Sequence, residues 1–416
     1  MTSNNSAETG AGGITIEVPT SDDWDGIYRM FSAAINIDGD PMSSAAEREL
    51  FEPDRSLVAR RDGEIVGTLG CTTRNIAVPG GVVPAAHGCR GAVSPTARRQ
   101  GVLTRMMRRH FEDARALGEP IALCWASEGR IYHRYGYGLA IRRLGLNIET
   151  REVAIPRGAA RGRLVEASPA DVRDDLVKLY DQVQAQRPGW SERSAKHWDY
   201  LLAELPAFRA GATALRAIVH EGDHGFDGYA LWRATGAWTE SGPCGEVRVV
   251  EVVATTPQAY TDLWTFLLTV DLTRSAQVWS CSVDEPLFYW VGEPRRMSAR
   301  MNDGMFIRIV DLPAALAARR YAAPVDVVIE VEDAFMPVNA GRWRLTGSPD
   351  SASCVATTDE PDLVCDIRAL GAAYLGGASL TSLAGAELVR ETRPGALAAA
   401  DVAFRWPQAP SAFEIF

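Results

Sequence analysis

The stretch 91–104 constrains the fold of this chain more than any other. It reads Gly-Ala-Val-Ser-Pro-Thr-Ala-Arg-Arg-Gln-Gly-Val-Leu-Thr, so a short apolar strand ends in a turn and a helix is predicted to begin at Gly101. A helix start carries unpaired backbone N–H groups and the positive end of the helix dipole, and it therefore binds anions readily. Gly101 lets the backbone approach a ligand closely because it has no Cβ. Together with the cations of Arg98 and Arg99, this loop suits a diphosphate.

An ordinary strand-turn-helix with a solvated basic rim is the alternative interpretation, because short glycine motifs also occur by chance. The residues that follow the helix favour a ligand site. After a helix stop at Gly118, residues 121–124 form a second apolar strand. Residues 125–138 then read Trp-Ala-Ser-Glu-Gly-Arg-Ile-Tyr-His-Arg-Tyr-Gly-Tyr-Gly.

Two motifs carry a resemblance to a known family. The Arg-x-x-Gly-x-Leu pattern that begins at Arg98, after the Val-x-Pro that begins at Val93, resembles the acetyl-CoA pyrophosphate loop of GNAT-type N-acetyltransferases. The stretch 126–138 closely resembles the Eis (enhanced intracellular survival) branch of that superfamily. The length and layout of the chain are similar to that branch over nearly its whole extent, including the terminal Phe416.

The resemblance implies an α/β (α+β) chain with two tandem GNAT acetyltransferase folds and a C-terminal sterol-carrier-protein-like α+β domain. The second GNAT copy is predicted to be degenerate, because its strand-helix junction reads Gln-Ala-Tyr-Thr at residues 258–261 and lacks the glycine and the cations. The predicted segments are a flexible tail at 1–13, a catalytic GNAT domain at 14–157, a second GNAT domain at 158–304, and a sterol-carrier-like domain at 305–416 with a tail that reaches the active site.

Composition sets the remaining limits. A length of 416 residues predicts two to four domains, and no apolar run approaches the ~20 residues of a membrane span. Residues 1–13 lack the apolar core of a signal peptide. The seven cysteines and six histidines show no metal spacing, which favours a reduced, cytoplasmic setting and predicts no metal. The net charge of −10 argues against nucleic acid and favours cationic ligands.

Local patterns predict individual elements along the chain. The main ones are a hairpin at Asp62-Gly63, a turn at 79–81, a helix over 101–117, a last strand of the first domain over 139–148, a helix opened by Ser168 and Pro169, a helix opened at Pro257, the start of the third segment near 305–310, and a helix capped by Asp311 that runs through Ala318.

The resemblance implies that acetyl-CoA is the co-substrate. Its pyrophosphate would lie on the backbone N–H groups of the loop and its acetyl carbonyl on a backbone N–H near Val93. Ser127 would contact the CoA or the floor of the active site. The predicted cofactor-binding residues are Val93, Arg98, Arg99, Gln100, Gly101, Val102, Leu103, Thr104 and Ser127.

Two catalytic groups also follow from the resemblance. Tyr132 matches the family's general acid, and a phenol with an ordinary pKa near ~10 suits protonation of a leaving thiolate. The alternative makes Tyr132 a packing residue beside Tyr135 and Tyr137. The terminal carboxylate of Phe416 matches the family's base, although an α-carboxyl with an ordinary pKa around ~3.5 is a poor base until it is desolvated or aided by water. The alternative is a tail that only packs on the first domain.

The acceptor side departs from the family pattern. Ile415 stands where the family typically has an acid, Glu414 is shifted by one position, the acid at Asp38 is also displaced, and Trp125 replaces a smaller polar residue. The predicted acceptor-binding residues are Ile35, Asp38, Trp125 and Glu414.

The predicted activity is acetyl-CoA-dependent N-acetylation of small cationic amines, with aminoglycosides among the candidates. Two alternatives stay open: a lysine or polyamine N-acetyltransferase, and a non-enzymatic lipid or acyl-CoA carrier built on the sterol-carrier-like segment. The resemblance also implies a homohexamer, and neither nucleic acid nor a membrane is an expected partner.

Overall fold

The computed structural model describes residues 8–9, 13–156 and 162–416, so most of the tail predicted at 1–13 lies outside the described residues. The chain forms two compact units, each built from more than one segment. The first unit comprises Met1–Ile141, Gly304–Pro407 and Ile415–Phe416, and the second comprises Arg142–Asp303 and Gln408–Glu414.

The regular elements alternate along the chain. The strands are β1 (Glu8–Thr9), β2 (Thr15–Glu17), β3 (Leu57–Arg61), β4 (Glu64–Val78), β5 (Gly81–Val93), β6 (Ile121–Trp125), β7 (Gly138–Leu139), β8 (Arg142–Glu149), β9 (Arg163–Ala167), β10 (Arg216–Gly222), β11 (Gly225–Thr235), β12 (Trp238–Thr239), β13 (Gly242–Pro243), β14 (Gly245–Ala254), β15 (Thr273–Cys281), β16 (Arg300–Asp303), β17 (Met305–Ile309), β18 (Val325–Glu332), β19 (Gly341–Gly347), β20 (Ala352–Ala356), β21 (Leu363–Asp366) and β22 (Val389–Glu391). The helices are α1 (Trp24–Ala34), α2 (Pro41–Arg48), α3 (Val102–Ala116), α4 (Gly129–His133), α5 (Arg173–Gln184), α6 (Ala195–Leu201), α7 (Pro206–Arg209), α8 (Pro257–Thr269), α9 (Leu287–Trp290), α10 (Leu312–Ala318), α11 (Ile367–Ala373), α12 (Leu380–Gly385) and α13 (Ala396–Phe404).

The main sheet of the first unit has eight strands in the order β1-β2-β3-β4-β5-β6-β17-β7. The predicted hairpin at Asp62-Gly63 is confirmed, since it joins β3 to β4 with Arg61 opposite Glu64. The turn at 79–81 joins β4 to β5, as predicted. Strands β5 and β6 run parallel, with α3 as their connection. This strand-helix-strand unit carries the loop at 91–104.

Helix α3 is held on the sheet by one apolar face. It begins one residue after Gly101 and ends one residue before Leu117, so the prediction over 101–117 is confirmed to within one residue at each end. The buried residues of this helix, which recur at spacings of three and four, are Val102, Met106, Met107, His110, Phe111 and Ala114. Their burial fixes the position of the helix N-terminus at the end of β5.

The prediction of one strand over 139–148 is wrong. The chain instead makes β7, which lies at the edge of the first unit's sheet, and then β8, which pairs with β15 and β16 in the second unit. Residues 305–310, predicted as the start of the third segment, contain β17, which lies between β6 and β7 of the first sheet. The stretch 139–148 was recognised as a strand but assigned to the wrong sheet, whereas the pairing of 305–310 with the first sheet was not foreseen.

The second unit contains a seven-stranded sheet in the order β16-β8-β15-β14-β11-β10-β9. Helix α8 begins at Pro257 as predicted, and the side chain of Thr256 accepts a hydrogen bond from the backbone N–H of Ala259. The helix predicted to open at Ser168 and Pro169 starts later, at Arg173. The Ser168 hydroxyl accepts a hydrogen bond from the Ala170 backbone N–H, so it caps a turn that precedes the helix.

A five-stranded sheet in the order β20-β19-β18-β21-β22 completes the first unit. Helix α10 is capped by Asp311, whose carboxylate accepts a hydrogen bond from the backbone N–H of Ala314, and it runs through Ala318 as predicted. The residues after Arg405 form no helix or strand, which also agrees with the sequence. Within the described ranges, no helix is both long enough and apolar enough to cross a membrane.

Candidate active site

The loop between β5 and α3 presents a series of free backbone donors. The first backbone hydrogen bond of α3 runs from the Arg105 N–H to the Gly101 carbonyl, at 3.0 Å. Among the described residues, none accepts a hydrogen bond from the backbone N–H groups of residues 98–104. These donors lie at the positive end of the α3 dipole, which is the arrangement that binds phosphate groups.

The conformation of this loop depends on glycine. Gly101 has a φ of +74°, and the preceding Arg99 has a φ of +61°. A Cβ built on Gly101 would meet no atom within 4 Å, so it would project into open space at the mouth of the loop. The residues present therefore fit a diphosphate: free donors, a positive helix end and room for close approach of the backbone.

The Arg98 side chain is engaged by main-chain oxygens. Its Nε donates to the Val93 carbonyl at 3.1 Å and its Nη2 to the Ala34 carbonyl at 3.3 Å. It thus joins the loop to the end of β5 and to the C-terminus of α1. Sequence reasoning foresaw the cation but not these bonds, because Ala34 is distant in the chain. The Arg99 side chain is exposed.

The other predicted loop residues support this geometry. The Gln100 side chain accepts a hydrogen bond from Arg61 at 2.7 Å and donates to the Thr96 carbonyl at 3.2 Å. Val102 is buried and Leu103 is half-buried against the core of the first unit. The Thr104 hydroxyl lies 3.3 Å from the Tyr135 hydroxyl. These contacts support the conformation of the loop.

Tyr132 lies on α4 with its hydroxyl directed at β5. A Cβ built on Gly91 would lie 3.6 Å from that hydroxyl. The residue is only 8% exposed, and its ring packs edge-on against Tyr137 at a centroid distance of 5.7 Å. Burial, with smaller contributions from Cys124 and Tyr135, raises the pKa of the Tyr132 phenol well above its ordinary value. The hydroxyl therefore keeps its proton at neutral pH.

A β-bulge at Arg90 shapes the strand in front of Tyr132. The register of β4 and β5 shifts between Thr68 and Gly70, and Arg90 adopts a φ of +47°. The Arg90 guanidinium donates to a Glu47 oxygen at 2.9 and 3.1 Å. Our sequence prediction missed this bulge. The glycine at position 91 inside a strand was the available signal, since glycine in a strand interior often marks a bulge.

The chain terminus lies on the same strand. The ring of Phe416 packs edge-on against the ring of His87, with centroids 4.6 Å apart. His87 belongs to β5 and is fully buried. The ring of Phe416 therefore packs on β5 four residues before Gly91, the position that faces the Tyr132 hydroxyl.

The other predicted residues of the first unit lie in exposed or half-exposed positions. Ile35 is the C-terminal cap of α1 and is 41% exposed, and Asp38 is exposed in the loop that follows. Trp125 is the last residue of β6, is half-buried and lies opposite Met305 of β17. Ser127 is exposed in the turn before α4.

Glu414 belongs to the second unit, where it joins a buried ion-pair network. The Arg193 guanidinium donates to both carboxylate oxygens of Glu251 at 2.9 and 3.1 Å, and its Nε donates to Glu414 at 3.1 Å. The Tyr229 hydroxyl donates to Glu251 at 2.7 Å. The acceptor-binding role given to Glu414 stays a prediction; in this structure its carboxylate is bound to an arginine.

Comparisons with known proteins agree with this geometry. Models described as "Acetyltransferase (GNAT) domain" match residues 15–140 and 189–309, and one described as "Sterol carrier protein domain" matches residues 312–412. An "Uncharacterized N-acetyltransferase" of Streptomyces avermitilis is 43% identical over 95% of this chain and 98% of its own. The "N-acetyltransferase Eis" of Mycobacterium bovis is 33% identical, over 94% and 96% of the two chains.

The chain belongs to the Eis family of GNAT N-acetyltransferases. The solved structure of Eis1 from Mycobacterium abscessus superimposes with a TM-score of 0.84 at 31% identity, covering 97% of this chain and all of that one. A GCN5-related N-acetyltransferase from Anabaena variabilis, also with a TM-score of 0.84 but only 19% identical, shows the same fold. The predicted fold class is thereby confirmed, and GNAT enzymes use acetyl-CoA as acetyl donor.

The second GNAT domain of this Eis-family chain places acids where an anion would bind. At the start of α8 the Thr256 hydroxyl caps the helix and donates to the Asp227 carboxylate at 3.0 Å. His220 lies between Asp227, at 2.5 Å, and the fully buried Asp262, at 3.0 Å. The Asp227 carboxylate at this helix end would repel a diphosphate, which agrees with the prediction that this copy is degenerate. No set of three or more His, Cys, Asp or Glu residues in the described ranges could hold a metal ion.

Proposed function

We propose that this Eis-family enzyme transfers the acetyl group of acetyl-CoA to an amine of a small cationic acceptor, with aminoglycosides among the acceptors. The observation that supports the proposal is the placement of three features along β5: the donor loop follows its end, the Tyr132 hydroxyl faces Gly91, and Phe416 packs on His87.

The loop holds the donor. The N–H groups of residues 98–104 would bind the pyrophosphate, and the open space at Gly101 would admit it. When bound, acetyl-CoA supplies an activated acetyl thioester. The backbone N–H near Val93 would hold the acetyl carbonyl and stabilise negative charge that develops on its oxygen. Ser127 would contact the CoA from the turn before α4.

Tyr132 acts as the acid. Its raised pKa keeps a proton on the hydroxyl, which can pass to the sulfur as the thioester bond breaks. The burial that raises this pKa disfavours a thiolate in the same surroundings as well. Both proton affinities therefore rise together, and proton transfer to the sulfur does not require an acidic phenol.

The terminal carboxylate of Phe416 acts as the base. As the amine nitrogen bonds to the acetyl carbon it becomes acidic, and the carboxylate takes its proton directly or through water. An α-carboxyl is a weak base in water, so partial shielding by the half-buried chain end would favour this role. The role depends on where the chain stops.

The acceptor would approach from the side of α1. The exposed Asp38 lies in the loop after α1, whose last carbonyl, that of Ala34, is already bonded to Arg98. The Asp38 carboxylate favours a cationic amine, and the net charge of −10 favours its approach. Polyamines and lysine side chains carry the same charged group, so they are the competing acceptors. We propose in addition that the enzyme is a cytoplasmic homohexamer, which native mass spectrometry can measure.

The test is release of free thiol from acetyl-CoA in the presence of an aminoglycoside, a polyamine and a lysine peptide. Amine-dependent release with the aminoglycoside supports the proposal. If the enzyme releases thiol faster with the polyamine or the peptide, the proposed acceptor class is wrong and that amine takes its place. If no amine raises the rate above that of acetyl-CoA alone, while CoA or lipid still binds, the carrier alternative gains and the proposal fails.

A further inference from the structure

The mechanism above does not use His87, a fully buried imidazole in the middle of β5. Its backbone lies between Thr72 of β4 and Leu123 of β6 in the sheet. Its ring meets the ring of Phe416 at 67° with a centroid distance of 4.6 Å. Burial of a polar imidazole against Phe416 is costlier than burial of an apolar side chain, which suggests that the ring has a function besides packing.

The orientation of the imidazole is fixed. Its Nδ1 lies 3.0 Å from the carbonyl oxygen of Ala85 on the same strand. A carbonyl oxygen only accepts, so Nδ1 carries the proton and donates. The ring therefore cannot turn without losing a buried hydrogen bond, and it offers Phe416 a rigid partner.

We propose that His87 is a positioning residue, which fixes the terminal carboxylate through the ring of Phe416. The Cα of Phe416 carries both the carboxylate and the Cβ that bears the ring, so a fixed ring restricts where the carboxylate can lie. The preceding residue cannot do this, since Ile415 is 59% exposed. The inference rests on the proposed role of the carboxylate as base, because only then does its position control turnover.

The first test measures the chain end without reference to activity. A carboxypeptidase that releases C-terminal aromatic residues is added to the native protein, and free phenylalanine is followed with time. We expect His87→Asn, which lacks the ring, to release phenylalanine about tenfold faster than wild type, an effect of one lost aromatic contact. His87→Phe keeps a ring and should restore most of the protection. Val82→Ala, at an exposed position of the same strand, is the control. Release from His87→Asn at the wild-type rate would overturn the proposal.

The second test measures turnover. We expect His87→Asn to lower kcat by roughly tenfold or more, because displacement of a reacting group by about 1 Å has effects of that order. The KM for acetyl-CoA should stay within about twofold, since the donor loop is untouched. If His87 acts through the carboxylate, this loss should disappear in a protein whose terminus has been amidated by semisynthesis. Losses that multiply in the combined variant would contradict the inference.

The outcomes separate the inference from the function on which it rests. An amidated protein as active as wild type means that the carboxylate is not the base, and the proposed mechanism fails. An amidated protein without activity, together with an unaffected His87→Asn variant, refutes the inference alone. Thermal melting by circular dichroism confirms folding, and His87→Gln, which also lacks the ring, replaces His87→Asn if that variant does not fold.

Discussion

Two glycines at opposite ends of α3 allow a matched test of the donor loop. Gly101 precedes the helix with a φ of +74°, and Gly118 follows it with a φ of +75°. A Cβ on either residue would meet no atom within 4 Å. The backbone cost of Gly→Ala is thus the same at both positions, about 1–2 kcal/mol for a left-handed conformation. We expect Gly101→Ala and Gly118→Ala to lower the free energy of unfolding by similar amounts.

Their effects on acetyl-CoA binding should differ sharply. Only the Gly101 methyl would occupy the space in front of the free N–H groups of residues 98–104. Loss of one charge-assisted hydrogen bond of about 1.5–3 kcal/mol would raise the Kd for acetyl-CoA roughly 10- to 150-fold. Gly118→Ala lies at the far end of the helix and should leave the Kd unchanged.

The assay is isothermal titration calorimetry with acetyl-CoA, combined with urea unfolding of each variant. Equal stability losses with a raised Kd for Gly101→Ala alone would support the loop as the diphosphate site. A Kd for Gly101→Ala within twofold of that for Gly118→Ala would refute the reasoning, because the methyl would then lie outside the path of the ligand.

Three further predictions concern single side chains. Tyr132→Phe should lower turnover by about 10²-fold while acetyl-CoA affinity stays near normal in calorimetry. A loss of only a few-fold would make Tyr132 a packing residue. Arg193→Met should lower the free energy of unfolding of the second unit by about 3–5 kcal/mol, measured in urea. The reason is that the side chain of Glu251 is only 1% exposed and would lose its counter-charge. A smaller loss for the double variant with Glu251→Leu would confirm that cause. Burial, with a smaller contribution from Arg55, lowers the pKa of His110 to about 3. Below about pH 6.5 the unfolded chain binds a proton at His110 that the folded chain does not bind. The free energy of unfolding should therefore fall as the pH drops from about 6.5 towards 3, by up to about 1.4 kcal/mol per pH unit. In His110→Phe the free energy of unfolding should depend less steeply on pH. Parallel pH profiles of urea unfolding would contradict this.

Local signals predicted most of the elements correctly. The Asp62-Gly63 hairpin, the Asp311 cap and the start of α8 are each determined by one or two residues that favour a single backbone conformation, and the structure has them in place. The late start of α5 shows the limit, because the Ser168 hydroxyl caps a turn as well as a helix.

Local sequence patterns could not predict contacts between residues that are distant in the chain. The segment that forms β8 was predicted as a strand, and residues 305–310 only as the start of the third segment. The pairing of both is decided by partners that a local pattern does not identify. The same holds at the site. The free N–H groups at Gly101 could be predicted from the loop, whereas the Arg98 bond to Ala34 and the ring contact of Phe416 with His87 depend on tertiary packing.

The position of β17 has a consequence for synthesis of the chain on the ribosome. Strand β17 pairs with both β6 and β7 in the first sheet, yet roughly 180 residues separate it from the end of β6. At about 5–20 residues per second this interval takes on the order of 10 to 40 s, during which the edge of β6 has no native partner. Strand edges exposed for such times are prone to aggregation. The nascent enzyme should therefore need chaperone protection until β17 has left the exit tunnel. Slow translation of the second GNAT domain should lower the soluble yield of the whole enzyme.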